Sequence, residues 1–210
     1  MTSFRIAVLV SGEGTNLQAL IDDLEGSDIE IAGVASSRAE APGLERAEAA
    51  GIETAVFSLA DEPDRARRDE ALAGWLEERD VELVVLAGFM ELLTPGFIRR
   101  FGGRIVNVHP ALLPAFPGLG AIDQALEHGV KVAGVTVHFV DEGVDSGPIV
   151  MQEAFELPYH RDIAATRQRF HEVEHRLLPR AVSLIAAGKV RIDPDSPRTV
   201  IVEEGRDGDD

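Results

Sequence analysis

Short apolar runs alternate with segments of helical periodicity along the first half of the chain. Five runs have the length and the β-branched content of buried strands, and they span residues 6–10, 31–35, 53–57, 83–87 and 105–108. Helical patterns separate the first four runs, over residues 16–24, 43–50 and 64–79. Because crossovers between parallel strands share one hand, this alternation predicts a parallel sheet covered by helices on both faces.

The pattern changes after Pro110, where prolines and glycines mark a long loop. A short helix is expected at residues 122–128, and strands at 132–140 and 149–155 are expected to pair antiparallel. An amphipathic helix over residues 163–187 ends near Gly188, which suits a left-handed cap. The chain is therefore predicted to be an α/β protein with a Rossmann-like, doubly wound, mostly parallel sheet, an antiparallel C-terminal extension and a long final helix.

Length and charge narrow the class of protein. A chain of 210 residues favours one domain, here residues 1–193, followed by an acidic, flexible tail at 194–210. The absence of cysteine excludes disulfides, a thiolate nucleophile and a cysteine-ligated metal. A formal net charge of -17 repels phosphate backbones, so small molecules are expected as partners rather than nucleic acid. The N-terminal sequence fits neither a signal peptide nor a membrane span, which indicates a cytoplasmic protein without a membrane partner. A monomer or a homodimer is expected.

A glycine-rich turn, Ser11-Gly-Glu-Gly-Thr-Asn16, follows the first strand and opens the first helix. Free backbone N–H groups and the helix dipole bind anions at such a place, so a monophosphate is the favoured ligand. A dinucleotide is the alternative, but Leu17 replaces the third glycine of G-x-G-x-x-G, and the second strand ends in Ser36-Ser-Arg38 without an acidic anchor for the ribose. Only Arg38 supports that alternative, as a partner for the 2′-phosphate of NADP. A purely structural tight turn is the third possibility.

Asn107 and His109 lie two residues apart at the carboxyl end of the fifth strand, so both side chains can point to the same side. A histidine can supply a proton near neutral pH, and an asparagine amide can donate to a developing oxyanion. Asp145, in a glycine-containing turn between the two late strands, could reach His109 and hold it protonated. The structural alternative for His109 is a hydrogen-bonded residue at a strand end, and for Asp145 it is an ordinary turn residue. Spacing alone leaves both alternatives open.

The final helix contains His171-Glu-Val-Glu-His175, which matches the zinc motif H-E-x-x-H and would make Glu172 a protease base. No third ligand follows nearby, because the next carboxylate, Asp193, lies beyond the helix. A metal is therefore not expected.

Several longer segments occur in a fixed order along the chain. They are Val10-Ser-Gly-Glu-Gly-Thr-Asn-Leu-Gln-Ala19, Gly43-Leu-Glu-Arg46, Val85-Leu-Ala-Gly-Phe-Met90, Asn107-Val-His-Pro-Ala-Leu-Leu-Pro114, Pro117-Gly-Leu119, Val137-His-Phe-Val140 and Asp145-Ser-Gly-Pro148. Together they resemble the phosphoribosylglycinamide formyltransferases, folate enzymes of purine biosynthesis, over about residues 5–192. The resemblance implies transfer of the formyl group of 10-formyltetrahydrofolate to the amine of glycinamide ribonucleotide, by direct attack.

The resemblance also implies which residues form the site. The substrate phosphate is expected at Gly14, Thr15 and Asn16, with Glu174, inside the apparent zinc motif, facing the same substrate. Asn107, His109 and Asp145 are implied to be the catalytic set. Contacts to the folate are expected from Arg65, Met90, Glu91, Leu92, Leu93, Asn107, Asp141 and Glu142.

The chain departs from the family pattern at the folate entrance. Glu91 stands where some members carry arginine, and Ala115 and Gly120 replace larger polar residues. Related alternatives are a formyltetrahydrofolate hydrolase and a formyltransferase that acts on another amine. Alternatives of another class are an NADP-binding reductase and a nucleotide-binding module without turnover.

Overall fold

Strands and helices alternate along the computed structural model, which describes residues 3–157 and 163–203. The strands are β1 (Phe4–Val10), β2 (Ile29–Ser36), β3 (Thr54–Val56), β4 (Leu83–Leu86), β5 (Ile105–His109), β6 (Val132–Phe139), β7 (Ile149–Glu156), β8 (Val190–Asp193) and β9 (Ser196–Val202). The helices are α1 (Thr15–Leu24), α2 (Pro42–Ala49), α3 (Arg65–Glu77), α4 (Pro95–Arg100), α5 (Ala121–Glu127) and α6 (Ile163–Ala186).

Seven strands form one mixed sheet in the order β3-β2-β1-β4-β5-β6-β7. The strands from β1 to β5 run parallel, and β6 and β7 add antiparallel pairs at one edge. The chain moves outward from β1 to β3 and then returns to place β4 on the other side of β1. Ligands of open α/β sheets bind outside the carboxyl ends of the strands at such a reversal. The predicted Rossmann-like sheet with an antiparallel extension is confirmed.

β1 is buried on both faces, and its side chains alternate between two apolar cores. Ile6, Val8 and Val10 pack with residues of α1, α2 and α6, whereas Ala7 and Leu9 pack with residues of α3 and α4. None of these five side chains has exposed surface. This two-sided burial explains why the sequence of the strand is continuously apolar.

The long final helix, α6, packs against α1 and covers the same face of the sheet. Its buried side chains, among them Phe170, Val173 and Leu177, recur at helical spacing. Beyond its end, Gly188 has a φ of +69°, the left-handed conformation expected of a glycine cap. Charged residues occupy its other face, and none of the helices described is both long and apolar enough to span a membrane.

The structure adds two elements that the sequence patterns did not indicate. One is α4, a short helix whose N-cap, Thr94, accepts a hydrogen bond from the N–H of Phe97 at 3.3 Å. The other is the hairpin of β8 and β9, which places the end of regular structure at Val202 rather than at residue 193. The six residues of α4 are too few to show a helical period, and Pro197 near the start of β9 argues against a strand in that segment. The rest of the predicted tail, residues 204–210, lies outside the described residues.

The close approach of α3 to β2 depends on one glycine. A Cβ atom added to Gly33 would lie 2.5 Å from Cη2 of Trp75, far inside van der Waals contact. The indole therefore lies directly against the backbone of the strand, and the Phe57 ring packs edge-on against it with centroids 5.9 Å apart. A larger residue at position 33 would have to displace this aromatic pair.

Gly33→Ala is expected to destabilise the protein by about 1–3 kcal/mol, because the indole must shift to admit the methyl group. The free energy of unfolding in urea measures this effect. Gly74→Ala is the matched control on α3, because a Cβ at that position meets nothing within 4 Å and alanine favours a helix. Equal stability of the Gly33→Ala variant and the parent protein would contradict the role given to this contact.

Candidate active site

The carboxyl ends of β1, β4 and β5 meet at one edge of the sheet, and a cleft opens there. Two adjoining cavities form the cleft, and Asn107 and Asp145 line both of them. The β6-side cavity extends to His138, and the α5-side cavity, of about 370 Å³, extends to His109. A cleft of this size accommodates a small molecule.

The glycine-rich turn after β1 leaves the first N–H groups of α1 available to an anion. Gly14 is the N-cap with a φ of +70°, and no side chain caps the helix. A Cβ atom on Gly14 would lie 2.5 Å from Cα of Gly43, and the Gly43 N–H donates to the Gly12 carbonyl at 3.0 Å. The turn is therefore held against the start of α2 at a spacing that only glycine permits. An uncapped helix N-terminus after such a turn can bind a phosphate.

Ser11 joins this turn to the loop after β4. Its hydroxyl accepts a hydrogen bond from the Met90 N–H at 2.8 Å and pairs with the Ser37 hydroxyl at 2.6 Å. The Ser11 N–H donates to the Gly88 carbonyl at 3.1 Å. Because Gly88 and Met90 line the α5-side cavity, these bonds fix one wall of the cleft to the candidate phosphate site.

Asn16 and Glu174 form a buried polar pair between α1 and α6. The amide of Asn16 donates to a carboxylate oxygen of Glu174 at 3.3 Å. Oδ1 of Asn16 is buried and has no hydrogen-bond partner among the described residues. Burial raises the pKa of Glu174 to about 7, against the opposing effect of the bond from Asn16. Such a pair has hydrogen-bonding capacity left for a polar ligand at the glycine-rich turn.

Asp145 is the centre of the polar cluster at the end of β5. One carboxylate oxygen accepts the Gly118 N–H at 2.7 Å and lies 3.4 Å from Nδ1 of His109. The other accepts the Asn107 amide at 3.4 Å and lies 3.6 Å from Nε2 of His138. Burial by itself raises the pKa of Asp145, but the nearby His138 imidazole, the Gly118 N–H and the His109 imidazole together lower it below its ordinary value. The cluster therefore holds the carboxylate form.

Both ring nitrogens of His109 face hydrogen-bond acceptors. Nε2 lies 2.8 Å from the carbonyl oxygen of Phe116, and Nδ1 faces the Asp145 carboxylate. Neither oxygen can donate, so the ring satisfies both contacts only when both nitrogens carry protons. Phe116 and Asp145 both have left-handed backbone, with φ of +52° and +49°, a costly conformation that recurs at functional sites. The arrangement can supply an acid for proton transfer.

A buried ion pair on α3 holds the loop after β4. The Arg68 guanidinium donates to one Asp69 oxygen through bonds of 2.5 and 2.8 Å, and both side chains are almost fully buried. Arg68 also donates to the Leu92 carbonyl at 3.2 Å, and the other Asp69 oxygen accepts the Thr94 N–H at 2.6 Å. Nη1 of Arg68 lies 3.8 Å from the Glu91 carboxylate. These contacts fix the backbone of the loop that lines the cleft.

The cleft brings together most of the residues expected to contact a folate. Met90 lines the α5-side cavity. Arg65 is exposed at the start of α3 and lines neither of the two cavities. The β6-side cavity is lined by the others, namely Glu91, Leu92, Leu93, Asn107, Asp141 and Glu142.

Residues that supported the alternative ligands lie elsewhere. Arg38 pairs with Glu40 at 2.6 Å on the surface. His171 and His175 stack on α6 with ring centroids 6.0 Å apart. Within the part of the chain that the structure describes, no group of three or more histidine, aspartate or glutamate side chains could hold a metal ion.

Three groups of the site were not indicated by the sequence. His138 lies in β6 directly opposite Asn107, and its position inside a mostly apolar strand was the one available signal. The Phe116 carbonyl and the Gly118 N–H come from the loop after β5. Backbone groups carry no sequence signature, so only the structure reveals them.

Glu174→Gln is expected to change how stability depends on pH. A carboxyl whose pKa is raised by folding contributes most stability below its unfolded pKa of 4.5, and that stability is lost as the pH rises through about 7. Glutamine stays neutral at every pH. The free energy of unfolding of the Glu174→Gln variant, relative to that of the parent protein, should therefore increase by up to about 3 kcal/mol as the pH rises across this range. Urea unfolding at pH 5 and pH 8 measures the difference, with Glu172→Gln on the exposed face of α6 as the control. The same difference at both pH values would refute the assignment.

Asp69→Asn is expected to destabilise the protein by about 3–5 kcal/mol, because it leaves the buried Arg68 charge with only the partly exposed Glu91 carboxylate, 3.8 Å away, as a counter-ion. Glu70→Gln is the matched control, since Glu70 pairs with Arg100 at the surface and such pairs contribute about 1 kcal/mol or less. Urea unfolding of the two variants gives the comparison. Equal losses would mean that burial does not set the strength of the Arg68–Asp69 pair.

Known proteins are similar to this chain in both sequence and fold. A model of the formyl transferase family matches residues 4–182. Phosphoribosylglycinamide formyltransferase from Bacillus subtilis (strain 168) is 41% identical over 180 residues, which cover 85% of this chain and 92% of that protein. The crystal structure of glycinamide ribonucleotide transformylase 1 from Symbiobacterium toebii is 46% identical with a TM-score of 0.91, and the match covers 97% of this chain and 95% of that one.

Some longer proteins contain a related segment. The trifunctional purine biosynthetic protein adenosine-3 of Drosophila pseudoobscura pseudoobscura is 47% identical over 191 residues, which are 89% of this chain but only 14% of that protein. The glycine-rich turn and the cluster around Asp145 both fall within the residues that the family model matches. The chain therefore belongs to the formyl transferase family, and within it to the phosphoribosylglycinamide formyltransferases.

Proposed function

We propose that this chain transfers the formyl group of 10-formyltetrahydrofolate to the amine of glycinamide ribonucleotide, a step of purine biosynthesis. The observation that carries the proposal is the convergence of Asn107, His109 and Asp145 on a cleft that is hydrogen-bonded to an uncapped, glycine-rich helix N-terminus. The named relatives support the reaction, because they match this chain over most of its length.

The ribonucleotide binds with its phosphate at the N-terminus of α1. Backbone N–H groups at Gly14, Thr15 and Asn16 donate to the phosphate oxygens, and the helix dipole favours the negative charge. Glu174 and the unpartnered Oδ1 of Asn16 hydrogen-bond to polar groups of the same substrate. This placement directs the substrate amine toward the cleft.

The folate binds in the cleft that Asn107 and Asp145 line. Leu92 and Leu93 supply apolar surface for the pterin, while Asn107, Asp141 and Glu142 supply polar contacts. Arg65, exposed at the start of α3, is available to the carboxylates of the glutamate tail. Glu91 adds an acidic group to the same pocket, which distinguishes it from a pocket with arginine at this position.

The amine attacks the formyl carbon directly. A new C–N bond forms while the formyl oxygen gains negative charge, and collapse of this intermediate breaks the bond to the folate nitrogen. The attacking nitrogen loses one proton and the leaving nitrogen gains one, so the reaction needs no net acid or base. Binding both substrates in one cleft makes the encounter effectively intramolecular, which lowers the entropic part of the barrier.

Asn107 and His109 stabilise the oxyanion. The Asn107 amide donates to the developing charge, and the doubly protonated His109 adds a second donor and the proton for the leaving nitrogen. In the structure Nε2 of His109 donates to the Phe116 carbonyl, which holds the donor until the substrate oxygen replaces that carbonyl. Asp145 orients the ring through its contact with Nδ1 at 3.4 Å.

The proposed partners of this chain are the two small molecules alone. The net charge of -17 disfavours nucleic acid, and direct attack by the amine requires no metal ion. A cytoplasmic protein that is a monomer or a homodimer, and that has no membrane partner, is part of the same proposal.

Asn107→Ala and His109→Ala are each expected to lower kcat by about a hundredfold or more, because each removes a preorganised donor to the oxyanion. Steady-state assays of formyl transfer to glycinamide ribonucleotide measure the effect. His171→Ala is the control, since its imidazole is exposed on α6 and contacts no member of the cluster. Near-normal kcat in both active-site variants would refute the mechanism.

An assay without glycinamide ribonucleotide distinguishes formyl transfer from hydrolysis of 10-formyltetrahydrofolate. Release of the folate that requires glycinamide ribonucleotide supports the transferase, whereas release at the same rate without it identifies a hydrolase. No turnover under either condition would contradict both reactions.

A further inference from the structure

Arg46, in the second half of α2, contacts the glycine-rich turn from outside the cleft. Its Nε donates to the Glu13 carbonyl at 2.8 Å, and its Nη1 donates to the Gln18 side-chain oxygen at 3.4 Å. Gln18 lies on α1, and its amide in turn donates to Asp22 at 2.9 Å. One side chain therefore connects α2 both to the turn and to the helix that the turn opens.

The bond to Glu13 determines how the next peptide N–H is oriented. In a planar trans peptide, the carbonyl and the following N–H point in opposite directions. Because the Glu13 carbonyl points at Arg46, the Gly14 N–H points away from Arg46. That N–H precedes α1 and belongs to the group proposed above to bind the phosphate.

The position of α2 allows little freedom in this contact. A Cβ atom on Gly14 would lie 2.5 Å from Cα of Gly43 and 3.4 Å from Cδ of Arg46. The Gly43 N–H holds the Gly12 carbonyl at 3.0 Å in the preceding peptide of the turn. Two successive carbonyls of the turn therefore accept hydrogen bonds from α2. The Gly12 carbonyl accepts one from a backbone N–H, and the Glu13 carbonyl accepts one from the Arg46 guanidinium.

Arg46 also brings a positive charge to the turn. The chain has a net charge of -17, and the turn itself contains Glu13, so the electrostatic surroundings are unfavourable for a phosphate dianion. The guanidinium has five N–H donors, of which the two bonds described use two. Its Cδ lies 3.4 Å from the position that a Cβ atom on Gly14 would take, so the side chain lies against the turn that is proposed to bind the phosphate.

We infer that Arg46 is a positioning residue for the phosphate of the ribonucleotide substrate. It fixes the orientation of the Gly14 peptide and offsets the negative charge that the phosphate brings. The inference rests on the proposed function for the identity of the substrate, but not for the binding of a sugar phosphate. It assigns to Arg46 no part in the formyl transfer step itself.

Arg46→Ala is expected to raise the KM for glycinamide ribonucleotide by about tenfold or more, because it removes a charge-assisted hydrogen bond and a cation from the turn. The kcat and the KM for 10-formyltetrahydrofolate should stay within about twofold, since the catalytic cluster is not touched. Arg46→Lys, which keeps the charge, should recover part of the affinity, and Arg46→Gln should recover less. Arg191→Ala is the control, an exposed arginine in the β8–β9 hairpin.

A substrate without phosphate distinguishes phosphate positioning by Arg46 from a general loss of activity in the variant. With glycinamide riboside, the parent protein and Arg46→Ala should differ by less than about twofold, because the group that Arg46 serves is missing. An equal loss with the riboside and the ribonucleotide would overturn the inference. An equal rise in the KM for the folate, or unchanged KM for the ribonucleotide, would overturn it as well.

Calorimetric titration with ribose 5-phosphate tests the inference independently of formyl transfer. Binding by the parent protein that weakens at least about tenfold in Arg46→Ala supports it, even if formyl transfer is not observed and the proposed function falls. Equal binding by both proteins, or no binding by the parent protein, would overturn the inference about Arg46 while leaving the transferase assay to decide the function.

Discussion

Burial of the sheet on both faces is the constraint on which the rest of the structure depends. The core residues of β1 have no exposed surface, so neither face of the central strands can carry solvated polar groups. Polar chemistry is therefore confined to the strand ends. Because β1, β4 and β5 are parallel, their carboxyl ends share one edge, and the loops that follow them converge there. The cleft is a consequence of this geometry.

Within the cleft, Asp145 organises groups that come from three parts of the chain. It contacts Asn107 and His109 on β5, His138 on β6, and the Gly118 N–H in the loop after β5. A carboxylate that is largely buried is tolerable only when such partners surround it. The contacts that stabilise the carboxylate also hold the asparagine amide and the imidazole close to it, so they position the groups that we propose to act in catalysis.

Two arginines outside the cleft hold the two loops that shape it. Arg68 forms a buried pair with Asp69 and bonds to the loop after β4, whereas the half-buried Arg46 bonds to the turn after β1. Both donate to backbone carbonyls, which leaves the neighbouring peptides with a defined orientation. The loops themselves are joined by the hydroxyl of Ser11. The binding surfaces are therefore supported by contacts that no substrate needs to touch.

The sequence by itself determined the fold class and the positions of the main strands and helices, because two-sided burial imposes continuous apolar runs and helices impose their own period. It also indicated the glycine-rich turn and the residues Asn107, His109 and Asp145. The tertiary structure alone decided that Asp145 reaches β5, that His138 and two backbone groups join the cluster, and that Arg65 lies apart from the cavities. Contacts between residues distant in sequence, and contacts made by backbone atoms, leave no local pattern in the chain.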